Sequence, residues 1–171
     1  MVVHFMAYLR GCRRVLTIIG CGNSNRSDDG VGVFVAQQLQ VWLEENPADR
    51  VRVFDAGTGG MEVMFQARGA TRLVIIDASI TGSEPGAIHQ VPGAELVTER
   101  AASYSLHDFR WDHALYAGRR IFREDFPQDV TVFLIEAATL EIGLTLSQPV
   151  QDSAARVINL IRIMISDYEP A

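Results

Sequence analysis

Two carboxylates and an imidazole, Asp29, Asp77 and His107, carry most of the chemistry this sequence offers. Asp29 follows a glycine-broken loop after an apolar run, Asp77 ends another apolar run, and His107 falls in the first turn of an expected helix. Such a set is a hard-to-borderline metal site. Imidazole suits nickel, zinc, copper or iron, and three donors leave coordination positions open for a further molecule. Each residue also has a plainer reading, as a helix N-terminal charge, a loop-capping acid and a first-turn surface residue respectively. Cys21 and His107 raise the further option of a thiol nucleophile with its base. A cysteine between Gly20 and Gly22 equally serves as a small side chain where a larger one does not fit. His113 shares a helical stripe with Leu106, Phe109 and Tyr116 and reads as a packing residue, whereas Trp111 and Tyr116 either face a substrate or join the core. Neither an HExxH helix nor a Ser-His-Asp order is present.

Strands and the helices after them must bring these groups together. Val15 to Ile19 form a short, mostly β-branched run expected of a strand buried on both faces. Gly20 and Gly22 then turn the chain, and Ser27 or Asp28 is expected to cap a helix carrying Val31, Val33, Phe34, Ala36 and Leu39. A second strand over Val51, Val53 and Phe54 ends at Asp55-Ala56-Gly57-Thr58-Gly59-Gly60, with a short helix after it. Leu73 to Ile76 give a third strand, Ala87 to Val91 a short flanking one, and Val130 to Ile135 a fourth strong one. A helix is expected from Ser103 or Ser105, and Pro149 precedes a last amphipathic helix with Ala154, Val157, Ile158, Ile161 and Ile165 on one stripe. Alternating strands and helices predict one three-layer α/β domain over residues 14–171, with a mainly parallel twisted sheet and helices on both faces. Residues 1–13 show no clear periodicity and read as an N-terminal extension. Asp29, Asp55 and Asp77 thereby fall at the carboxyl ends of strands, where open α/β sheets bind ligands.

The 171 residues include 15 basic and 21 acidic side chains, a net charge of −6, which argues against nucleic acid or an anionic membrane as the main partner. No apolar run approaches the roughly 20 residues that span a bilayer. Two cysteines, Cys12 and Cys21, form neither a disulfide framework nor a CxxC pair, so a reducing, cytoplasmic compartment is expected. Gly20-Cys21-Gly22 resembles the start of a dinucleotide fingerprint, but Asn25 stands where the third glycine belongs. A pyrophosphate at that helix start would also meet Asp28 and Asp29.

Taken in order, Gly20-x-Gly22-Asn23, Asp28-Asp29-Gly30-Val31-Gly32, Asp55-x-Gly57-Thr58-x-Gly60-Met61-Glu62, Ile76-Asp77-Ala78 and Ser105-x-His107 closely resemble the hydrogenase maturation endopeptidases. The similarity runs from about residue 14 to about 165. It implies an aspartic-type endopeptidase that trims the C-terminus of the large-subunit precursor of a nickel–iron hydrogenase. It further implies that Asp29, Asp77 and His107 are the catalytic, metal-binding positions, that the nickel arrives with the substrate, and that no organic cofactor is needed. The first of these positions is often Glu in the family, so Asp29 reaches less far. Gly22, Asn23 and Asp28 of the first loop, and Asp55, Gly57, Thr58 and Gly59 of the second, are expected to line the substrate cleft. Asp55 either faces that cleft or bonds within its own loop. Two alternatives use the same residues differently: a non-catalytic metallochaperone or docking module for the precursor, and a Rossmann-type nucleotide binder.

Overall fold

Five strands in the order β2-β1-β3-β5-β4 make the centre of the computed structural model, which describes residues 14–96 and 110–168. The strands are β1 Leu16–Cys21, β2 Val51–Gly57, β3 Arg72–Ser79, β4 Ile88–Pro92 and β5 Asp129–Glu136. The first three and β5 run parallel, while β4 pairs antiparallel with β5 at the edge. The extension 1–13, His107 and the start of the helix expected from Ser103 or Ser105 lie outside the described residues. Among the described residues that helix, α4, covers Trp111–Phe122.

Because successive strand residues point to opposite faces, the sheet feeds two apolar layers. On one side Leu16, Ile18, Val74, Ile76, Phe133 and Ile135 pack under α1, Val31–Glu45, and α5, Gln148–Tyr168. The expected α5 stripe is buried there in full: Ala154, Val157, Ile158, Ile161 and Ile165. On the other side Ile19, Cys21, Leu73, Ile75, Val130 and Val132 meet α2, Gly60–Ala67, and α4. A one-turn helix, α3 Gly93–Leu96, follows β4. Helices on both faces of a mostly parallel sheet form the three-layer α/β arrangement that the alternation predicts. No described helix is long and apolar enough to cross a membrane.

The approach of α1 to the sheet decides where the first loop lies. A Cβ on Gly32 would sit 2.2 Å from the Ile76 carbonyl oxygen and 2.3 Å from that of Cys21, so hydrogen is the largest group this contact admits. The first turn of α1 therefore rests on the carboxyl ends of β1 and β3, which brings the residues just before it over the same edge. A 3-10 turn, Ser27–Gly30, precedes the helix, and neither Ser27 nor Asp28 caps it through a side chain. The expected cap is thus replaced by a different use of Asp28. Its fully buried carboxylate accepts the N–H groups of Ala138 at 2.9 Å, Thr139 at 3.1 Å and Ser147 at 2.6 Å, and the Ser147 hydroxyl at 2.9 Å. Backbone bonds from Ser27 to Gly143 and from Gly143 to Asn25 complete a seam between the first loop and the segment after β5. Phe34, expected on the apolar stripe, lies at its margin and is 37% exposed.

Candidate active site

Asp77 follows the alternation of β3. Leu73 and Ile75 face the α2 and α4 layer, so the acid two residues further on points the same way, at the carboxyl edge. There its carboxylate is 4% exposed. Oδ1 accepts the Ala78 N–H at 2.9 Å, and Oδ2 accepts the Trp111 indole N–H at 2.7 Å and an Arg110 guanidinium N–H at 3.3 Å. Burial pushes the Asp77 carboxyl up from its ordinary range, and the charge of Asp29 adds to this; the bonds from Trp111, Arg110 and Ala78 oppose the rise without cancelling it.

Asp29 reaches the same place from the 3-10 turn ahead of α1 and is half-buried. Gly22 makes room between the two acids. Its φ is +125°, and a Cβ there would lie 1.8 Å from the Asp29 carbonyl oxygen and 3.6 Å from Asp77 Oδ1. A cavity of about 180 Å³ opens in front of the acids, walled by Cys21, Gly22, Gly57 to Gly60 of the second loop, Val63 of α2, Arg110 and Trp111. A second hollow of about 370 Å³ shares Asp29, Asp77, Arg110 and Trp111 and continues over Ala78 to Thr81, Leu134 and Leu140. The two hollows thus share the acid pair together with Arg110 and Trp111.

Of the residues expected in the cleft, Asp29, Asp77, Gly22, Gly57, Thr58 and Gly59 line it. Three do not. Asp28, one residue from Asp29, points the opposite way into its buried set of donors, because consecutive residues of the turn face different sides. Asn23 turns back on its own loop, where its carbonyl accepts the Asn25 N–H at 3.0 Å. Asp55 is a loop hydrogen-bonder: its carboxylate accepts the Gly57 N–H at 2.9 Å and the Gln37 amide at 3.1 Å, fixing the turn that presents Gly57 and Thr58. Among the described residues no three His, Cys, Asp or Glu side chains gather closely enough to hold a metal ion.

Cys21 lies on the cavity floor, 4% exposed, in line with the small-residue reading. Burial pushes its thiol up, with Asp77 adding to the rise, whereas a reactive cysteine needs a lowered value. Two neighbours of the acids, Arg110 and Glu136, are not among the candidate site residues read from the sequence. Arg110 precedes α4 directly and reaches Asp77; a cation beside Trp111 at a helix start was the available signal. Glu136, at the end of β5, is 2% exposed and accepts the Thr81 and Gly82 N–H groups at 2.7 and 2.8 Å and the Thr81 and Ser79 hydroxyls at 3.0 Å. It thereby shapes the wall of the second hollow, and its place as an acid at a strand end matches that of Asp55 and Asp77.

Comparison with known proteins places the chain in a family. The hydrogenase maturation protease family model, HycI, matches residues 33–163, a span that begins just after Asp29 and includes Asp77. The chain is 28% identical over 133 residues to the hydrogenase 2 maturation protease of Escherichia coli, covering 76% of this chain and 79% of that one. It is 26% identical over 155 residues to the hydrogenase expression/formation protein HupD of Bradyrhizobium diazoefficiens, covering 90% and 79%. The structure of the hydrogenase maturating endopeptidase HybD from Escherichia coli superposes with a TM-score of 0.71 at 22% identity, over 90% of this chain and 93% of that one, and shares the fold. With its family model spanning most of its length, the chain belongs to the hydrogenase maturation proteases.

Proposed function

We propose that this chain is an endopeptidase that removes a C-terminal extension from the large-subunit precursor of a nickel–iron hydrogenase once nickel has been inserted. The observation that carries the reading is the convergence of Asp29 and Asp77 in one open cavity at the carboxyl edge of the sheet. Two carboxylates with vacant surroundings suit a cation that arrives already held by another molecule, because the isolated set is too open to bind free metal tightly. His107 is the third donor on this reading. The bonds from Trp111 and Ala78 fix the Asp77 carboxylate in place, so the precursor's nickel is met by a rigid oxygen donor. The peptide lies across the two hollows that share the acids, and hydrolysis adds water across the bond held beside the metal. The family resemblance supports the nickel and the precursor, and a sequence with two cysteines and no disulfide framework favours a reducing, cytoplasmic setting.

The test is to incubate chelator-treated, desalted enzyme with matched nickel-loaded and nickel-free precursor and to read the precursor's mass. Shortening of the loaded form alone is expected. Binding of loaded precursor without any change in mass would identify a docking module instead, and equal cleavage of both forms would remove nickel from the recognition step.

A further inference from the structure

We infer that Arg110 is a displaceable counter-cation: it occupies Asp77 in the resting protein and yields to a cation carried by the substrate, so that free divalent ions are kept out. This inference rests on the proposed use of Asp29 and Asp77 toward substrate-borne nickel.

Three observations meet at this residue. The pair is lopsided in burial, with 68% of the Arg110 side chain exposed against 5% of Asp77. The guanidinium can therefore swing into solvent while the carboxylate cannot follow. The contact is also a loose one: a single Nη2 to Oδ2 approach of 3.3 Å, not the two-pronged geometry that makes arginine–carboxylate pairs strong. Lastly, Asp77 keeps its place without Arg110, since Trp111 and Ala78 donate shorter bonds of 2.7 and 2.9 Å to the two oxygens. Removing the guanidinium leaves the acid oriented and takes away only a charge. The role fits the electrostatics on both sides. Two neighbouring carboxylates with Asp77 buried would attract any passing dication, and one positive charge at their rim halves the net charge that such an ion meets. A free hydrated ion gains little by displacing it. A metal fixed in a docked protein has the rest of that interface to drive the exchange.

Arg110 also lines both hollows, so the group that leaves Asp77 stays within reach of the passing chain. That makes it a specificity-determining residue: it sets which form of the cation the acid pair accepts.

The test uses nickel ion alone with the isolated chain. Trp111 is a built-in reporter through its bond to Asp77, and Trp42, near the far end of α1 and covered by Arg162, is replaced by Phe to silence the second indole. In this background Arg110→Met should bind Ni²⁺ about tenfold more tightly than the parent, as read by quenching of Trp111, for the loss of one charge at a partly screened rim. Arg110→Lys, which keeps the charge, should bind as weakly as the parent. In a cleavage assay, micromolar free Ni²⁺ should inhibit Arg110→Met at concentrations that leave the wild type active. Unchanged or weaker nickel binding by Arg110→Met, or tight binding by Arg110→Lys, would overturn the inference. If wild-type enzyme left nickel-loaded precursor uncut, the proposed function would fail instead, while the titration would still report on Arg110.

Discussion

Asp77 is a carboxylate kept where its charge is costly, and the cost has a direction with pH. Its folded value lies above the ordinary 3.8, with burial as the main cause. Between these two values the folded chain holds more protons than the unfolded one, so the contribution of Asp77 to stability is largest in acid and is lost as pH rises through the folded value. Asp77→Asn should therefore compare more favourably with wild type at pH 7 than at pH 4, as read from melting curves at the two pH values. The same variant should no longer process precursor. Asp28 and Asp29 should separate cleanly in the same assays. Asp28→Ala leaves three backbone N–H groups and a hydroxyl without their acceptor, at about 1–3 kcal/mol for a buried group so orphaned. Its melting temperature should fall by roughly 10 °C. Asp29→Ala should melt close to wild type and lose processing, and Asp29→Glu should retain it. Cys21→Ala should leave cleavage largely intact, since the buried thiol lacks activation; complete loss in a folded protein would restore the thiol as nucleophile.

At the scale of elements, the loop after β3 is tied to β5 through one side chain. Burial works to raise the Glu136 carboxyl, but the bonds from Thr81, Gly82 and Ser79 outweigh it and hold the group below 4.5. Its stabilisation is present above that value and disappears as pH falls through the folded one. Glu136→Gln should lower the melting temperature at pH 7, with a gap to wild type that narrows on acidification. If the gap stays constant from pH 7 to pH 3, the charge is not what holds the loop. The elements bearing these acids were readable in the residue order because each strand is a short apolar run stopped by a polar residue or glycine. What each acid does at its strand end was less readable. Asp28 resembles a helix cap locally, yet its partners lie 110 to 119 residues away and leave no local trace. Asp55 was open between two uses because a loop bond from Gly57 and a cleft position have the same local signature. The reversed direction of β4 is likewise set by its pairing with β5, not by its own five residues.

The whole molecule sets two apolar layers on one sheet and leaves the carboxyl edge free between them. Both acids are rooted in well-packed elements, so little rearrangement is needed to receive a partner. Specificity then falls to what the partner brings. Chelator-treated wild-type enzyme should consequently recover full activity on loaded precursor without added metal, as followed by mass over time. Activity that returns only when metal is added to the enzyme would mark it as an ordinary metalloprotease.

The seam between the first loop and residues 138–147 also imposes an order on synthesis. A chain emerging from the ribosome presents Asp28 and Asp29 early, but the donors that anchor Asp28 are made more than a hundred residues later. Until they arrive the turn before α1 lacks its anchor and the acid pair its alignment. A nascent chain that stops short of Ser147 is thus a protease without a finished edge, and cutting must wait until residues 138–147 have folded back onto the first loop.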